Sequence, residues 1–299
     1  MKNTGIICLN KPENISSFLA VKKLSKLLGV KKAGHTGTLD PMATGVLVIM
    51  LGSCTRFIDF LPESDKSYRA SVLLGKKTDT LDITGTVLEE KSVNVSEDEI
   101  KRVCQDFLGE TMQVPPMYSA IQKDGVRLYD LARKGIEIER EPRKINIKEI
   151  SVQDFDGTSF TLDVTCSAGT YIRSLASDIG ELLGTGACLT SLCRTKANGF
   201  TLDCSLTLEE AEEHIKTGDI DKFILSIEDA LAVYEPVTVS APQGVRFRNG
   251  GSLSLERINK NFENGLYRVF SPDNLFLGLG EADTENKILK PKRVYISGE

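Results

Sequence analysis

The densest chemical signal in the chain is the run Gly34-His-Thr-Gly-Thr-Leu-Asp-Pro-Met-Ala-Thr-Gly45. Asp40 stands before Pro41, which steers it away from helix and presents its carboxylate from a turn. Gly34, Gly37 and Gly45 permit positive φ or close backbone approach. The apolar run Val46–Leu51 follows, so the carboxylate is expected at a rigid edge beside a core. That is a good seat for an acid, a base or a nucleophile. An isolated Asp-Pro is more often a simple Asx turn, so the weight falls on what surrounds it. Several other chemistries find no support. A phosphate loop ending at Gly75-Lys76 would need glycine at Ala70 and Ser or Thr at Lys77. Gly184-Thr-Gly186 meets Leu189 where a dinucleotide fingerprint needs its last glycine. No G-x-S-x-G is present. Two histidines, His35 and His214, and seven cysteines without a C-x-x-C pair do not suggest a tetrahedral metal site.

The elements that must position Asp40 are readable in outline. Gly5–Leu9 reads as a strand stopped by Asn10-Lys11-Pro12. Ser16 and Ser17 can cap a helix running to Leu28, with Gly29 as its stop. The glycine-rich turn leads into a buried strand over 45–51. Strands are expected at 67–75 and 83–88, joined by a polar turn over 76–82, and a helix at 97–108. Residues 113–144 form a basic, Pro- and Gly-broken insertion carrying Arg127, Arg133, Lys134, Arg140, Arg143 and Lys144. Strands return at 145–153 and 159–166. A helix begins near Tyr171, with Ile172, Leu175, Ala176, Ile179 and Leu182 at helical spacing. Short helices follow at 207–215 and 226–232.

Past Pro236 the texture changes to short β pieces at 237–239, 251–255, 266–270, 275–279 and 293–296, with Gly and Asn turns. The expected organisation is a catalytic domain over 1–235 and a small β-rich domain over 236–299. Strands and helices mix without βαβ alternation. The fold class expected is therefore α+β, with a mixed, largely antiparallel sheet flanked by helices and loops.

The 299 residues carry a net charge of −5, which by itself argues against nucleic acid. The distribution tells more than the sum. Residues 1–40 hold seven lysines against Glu13 and Asp40, whereas 203–230 hold nine acids against two lysines. An acidic stretch, read as a solvated helix face, can mask a basic face elsewhere. With no Trp, any base stacking must rest on Tyr, Phe, His or Arg. The scattered cysteines read as reduced, buried thiols of a cytoplasmic protein. No secretory h-region opens the chain. Gly45–Leu51 is far shorter than the roughly 20 residues of a membrane span.

Taken whole, Gly34–Leu47 closely resembles the catalytic motif of the TruB-type tRNA pseudouridine-55 synthases. Further matches follow in the same chain order. Asn10-Lys11-Pro12 is similar to that family's basic N-terminal motif, and Asp65-Lys66-Ser67-Tyr68-Arg69 to its catalytic tyrosine motif. Pro115–Ala120 and Gly125–Arg133 resemble its RNA-gripping insertion. Cys166–Leu175 resembles its catalytic arginine motif, and Leu192-Cys193-Arg194-Thr195 through Phe200 the segment that closes the uracil pocket. The chain departs at Cys193, where a second basic residue is expected beside Arg194. The region 236–299 is loosely similar to a PUA-type RNA-binding domain.

The resemblance implies a pseudouridine synthase core that needs no metal or other cofactor. The tRNA T stem-loop would be its partner, and the enzyme would act as a monomer. Asp40 would be the catalytic nucleophile, Arg173 its ion-pair partner, and Tyr68 would stack on the target base and move a proton. Tyr171 and Leu192 would line the uracil pocket, and His35 would fill the gap left by the extruded nucleotide. Lys11 would support the turn bearing Asp40 or contact phosphate. Arg127, Arg133 and Arg194 would contact RNA, with the basic insertion ordering as a lid. Two other readings use the same residues. A non-catalytic RNA binder would not need Asp40. A nucleoside or sugar glycosidase would need a second catalytic acid and no basic insertion.

Overall fold

The computed structural model describes residues 2–62, 65–123 and 125–296. The chain divides into two compact units, one gathering Met1–Asp40, Leu47–Pro62 and Asp203–Glu299, the other Pro41–Val46 and Glu63–Leu202.

In the first unit the strand Gly5–Lys11 is buried along almost its whole length. Its backbone is met by Leu206 and Leu225, through bonds such as Asn10 N to Leu206 O at 2.8 Å and Ile6 N to Leu225 O at 2.8 Å. The helix Ser17–Leu27 starts where Ser16 Oγ accepts from Leu19 N, and buries Ala20, Val21 and Leu24 on one face. Gly29, at φ +67°, follows its end as expected. Ala33–His35 pairs antiparallel with Ile49–Leu51, the last residues of the strand Thr44–Leu51. Val46 to Leu51 are completely buried, which is why this strand reads as a continuous apolar run instead of an alternating one.

The C-terminal part of the same unit is a five-stranded sheet. Glu235–Thr238 runs parallel to Gly265–Phe270; Phe276–Asp283, Ile288–Val294 and Leu253–Ser254 continue it antiparallel. Its core holds Val237, Phe247, Val269, Leu277 and Leu289. Phe57 meets Phe276 at 5.9 Å and Tyr295 at 6.1 Å between ring centres, and Arg268 donates to Tyr234 O and Glu228 O. The last strand lies at 288–294 instead of the expected 293–296, and the helix Ala241–Arg248 was not anticipated.

The second unit carries a mixed, largely antiparallel sheet, as expected. Thr44 and Gly45 lie parallel to Cys193 and Arg194. From there Ala187–Ala197, Lys66–Leu74, Ser159–Cys166, Arg143–Gln153 and Gly109–Gln113 follow in antiparallel order. In Lys66–Leu74 the buried positions are Tyr68, Ala70, Val72 and Leu74, the period of two that fixes which face looks inward. The helix Ile172–Leu182 buries Ile172, Leu175, Ala176 and Ile179. The polar stretch 76–82 is not one turn. Lys76–Thr78 is a strand paired with Val87–Glu90, and the turn sits at 79–86, tied by Asp79 and Asp82. The strand expected at 83–88 therefore begins only at Val87. Among the described residues no helix is long and apolar enough to cross a membrane.

Candidate active site

In the first unit the residue before Asp40 is pinned to the helix Ser17–Leu27. Leu39 N donates to Ser17 Oγ at 2.8 Å, and that hydroxyl donates to Leu39 O at 2.9 Å, with Ser17 buried. The turn is therefore fixed one residue upstream of the half-buried carboxylate. Lys11 is completely buried, and its ammonium donates to Pro12 O at 2.8 Å and Ile15 O at 2.7 Å. Those bonds brace the bend that opens the helix carrying Ser17. His35 is half-buried on its short strand, opposite Ile49.

In the second unit the sheet register gathers three expected residues. Tyr68, buried, lies opposite Arg194 on one neighbouring strand and Val164 on the other, and Ala70 lies opposite Leu192. Residues directly opposite in antiparallel strands share a face, so Tyr68, Arg194 and Leu192 do too. Arg194 is 1% exposed, and its Nε donates to Val46 O at 2.8 Å. Gly45, at φ +98°, lies opposite Arg194, and a Cβ there would run into the Arg194 backbone. Glycine is thus required for the close approach of these two strands.

Arg173, in the first turn of Ile172–Leu182, is 4% exposed. Its guanidinium donates to Thr80 O at 2.8 Å and Tyr118 O at 2.7 Å, and stands 3.8 Å from Asp82 Oδ2. Asp82 is itself buried and accepts from Thr80 Oγ1 and from Thr84 N and Oγ1. One helix N-terminus therefore clamps both the 79–84 turn and the start of the insertion. Tyr171 belongs to the same clamp: its N–H donates to Gln113 Oε1 at 2.8 Å, and Gln113 Nε2 donates to its carbonyl at 3.0 Å. Asp82 and Gln113 were not anticipated. Their signal is burial of a polar side chain, which becomes visible only with the fold.

The insertion folds as a two-residue hairpin, Gln122–Lys123 with Val126–Arg127, and a short helix, Leu128–Ala132. Arg127 and Arg133 are exposed and lie against the Tyr129 ring, at 5.9 and 5.5 Å from its centre. Arg127 Nη1 also donates to the Tyr129 hydroxyl at 3.0 Å. Five of the seven cysteines are buried, Cys193 is half-buried and Cys204 is exposed.

Comparison with known proteins adds an independent line. Residues 25–172 match the N-terminal domain model of the TruB family pseudouridylate synthases. Residues 173–232 match a tRNA pseudouridylate synthase B C-terminal domain, and 236–295 a pseudouridine synthase II TruB C-terminal domain. The chain is 45% identical over 289 residues to tRNA pseudouridine synthase B of Clostridium tetani, covering 96% of this chain and 98% of that one. It is 39% identical to the Methylobacillus flagellatus protein of the same name, covering 99% and 96%. Among solved structures, a chain of a Cbf5-Nop10-Gar1 complex superposes with a TM-score of 0.73 at 26% identity, covering 98% of this chain and 85% of that one.

Proposed function

Since the chain belongs to the TruB family of pseudouridylate synthases, and so is a tRNA-modifying isomerase, we propose that it converts uridine 55 in the T loop to pseudouridine with Asp40 as nucleophile. The reaction breaks the N-glycosidic bond of the uridine and rejoins the ribose to carbon 5 of the same base. The carboxylate can act from the ribose side, as in retaining glycosidases, or add to carbon 6 of the ring. We favour the ribose route, through a glycal. In this reading Arg173 is the ion-pair partner of Asp40. Tyr68 stacks on the base and moves a proton, while Tyr171 and Leu192 line the pocket that receives it. His35 occupies the place of the extruded nucleotide, whose departure from the stack costs a few kcal/mol. Arg127, Arg133 and Arg194 contact the RNA, and the 236–299 region adds a PUA-like RNA contact. No metal or nucleotide enters this chemistry, and a monomer acting in the cytoplasm suffices for it.

The observation that carries the reading is the state of Arg173. A buried guanidinium with two nitrogens fastened to backbone carbonyls is held in place before substrate arrives. Such preorganised charge is what stabilises an ionised group in a dry site. The test is tritium release from a T-arm transcript carrying 5-tritiated uridine. The wild-type protein is expected to release it. Asp40→Asn is expected to release none while binding the RNA with unchanged affinity. Turnover that survives Asp40→Asn removes the assignment.

A further inference from the structure

Lys66 is a cation for which the mechanism above has no use. It lies two residues before Tyr68 on the strand Lys66–Leu74, so the two side chains leave the same face. The register places Cys166 opposite Lys66 and Arg194 opposite Tyr68. The inward face of the sheet beside the tyrosine therefore carries two positive charges, Lys66 and Arg194.

The two are not equivalent. Arg194 is fastened to the Val46 carbonyl. Lys66 is half-buried, and among the described residues its ammonium has neither a hydrogen bond nor an ion pair. Burial, and then the nearby Arg194 charge, pull its pKa below the ordinary lysine value. The Cys166 thiol, itself pushed up to about 11 by burial, favours the charged form only as the smallest of the three influences. Exposed lysines of the same unit behave differently: Lys148 reaches Asp65 and Lys144 reaches Glu110. A lysine stem is long enough to carry its ammonium to water or to a carboxylate. One that stays partly dehydrated beside a guanidinium is prepared for an anion that arrives from outside.

Resting on the reading of the site given above, we infer that Lys66 is a positioning residue whose ammonium takes a phosphate oxygen of the bound RNA next to the nucleotide stacked on Tyr68. The contact fixes the backbone on one side of the base, so that Tyr68 and the pocket meet the ring in one orientation. Part of its strength comes from relief: the incoming anion offsets the repulsion between the Lys66 and Arg194 charges.

The test compares wild type, Lys66→Met and Lys66→Arg with a 5-tritiated T-arm transcript. It reads single-turnover release at saturating enzyme and RNA affinity at several salt concentrations. Lys66→Met keeps the stem and removes the charge. It is expected to slow release about tenfold or more, and to make the slope of log affinity against log salt shallower by about 0.7–0.9, one phosphate contact. Lys66→Arg should recover most of both. Release by Lys66→Met at the wild-type rate overturns the inference. So does slow release with an unchanged salt slope, which would assign the charge to a protein group. Lys66→Arg no better than Lys66→Met overturns it as well, since a merely misfolded strand would show that pattern. A wild-type protein that releases no tritium would instead overturn the reading of the site itself, an outcome separable from the other three.

Discussion

Arg173 and Arg194 are buried, with guanidinium nitrogens donating to the carbonyls of Thr80, Tyr118 and Val46. Arg127 and Arg133, in the same unit, are exposed and both lie against one residue, Tyr129. All four belong to the motifs that resemble a substrate-handling family. The difference separates two jobs. A buried guanidinium held by backbone acceptors cannot move without breaking the fold, so it can set geometry but not adapt. An exposed one stacked on an aromatic ring gains only about 0.5–1 kcal/mol from the contact and can turn to a phosphate when one is offered. The rigid pair sits on sheet and helix, and the adaptable pair on an insertion with little secondary structure of its own, as expected of a surface that closes on a large ligand.

This contrast breaks most visibly in stability. Replacing a buried charge by an apolar residue of similar length can be neutral or even stabilising when its partners leave with it. Here one partner is the Val46 carbonyl, which stays, and Val46 is completely buried. Arg194→Met is therefore expected to cost about 2–3 kcal/mol, the price of losing a charged donor from a buried acceptor. Denaturant unfolding of the full chain measures it. An unshifted midpoint would mean that Arg194 is not part of the frame.

The exposed pair should give the opposite signature. Arg127→Ala and Arg133→Ala are each expected to change stability by no more than about 1 kcal/mol. Each should weaken T-arm binding and flatten its salt dependence by about 0.7–0.9 in the log–log slope. Loss of stability without loss of salt dependence would show that the Tyr129 stack is a structural staple, and the contrast would fail.

How much of this was legible in the sequence depends on whether the signal was local. The helix Ser17–Leu27 was legible because its cap at Ser16, its stop at Gly29 and its apolar spacing all lie within it. The strand Ala187–Ala197 was not recognised, although it lies in the middle of its sheet. Register shifts between Leu189 and Ser191 and between Arg194 and Lys196 break its period of two, and a buried arginine occupies an inward position. The helix Ala241–Arg248 did carry a local signal, Ser240 three residues before Gln243, and the structure has that capping box. Asp82 and Gln113 carried none. Their roles arise from meeting Arg173 and Tyr171 across long stretches of chain, the second pair 58 residues apart.

The smallest effect is expected outside the proposed site, in the acidic stretch 203–230. Asp219 follows the helix Leu208–Thr217, accepts from Thr217 Oγ1 at 2.7 Å and pairs with His214 Nδ1 at 2.8 Å. The threonine hydroxyl first, then the histidine, hold its carboxyl down from 3.8 to about 2. A carboxyl depressed in the folded state supplies stability that is complete above its unfolded range, near pH 4, and is lost as pH falls towards 2. Both residues are half-buried and solvent still screens the pair, so the contribution is small. Asp219→Asn should therefore lower the unfolding midpoint slightly at pH 5, and the gap to wild type should close between pH 4 and pH 2. Unfolding of both proteins across that interval measures it. A gap that stays constant would mean that the aspartate acts through helix-end geometry and not through its charge, and that even this half-buried cluster behaves like the rigid pair.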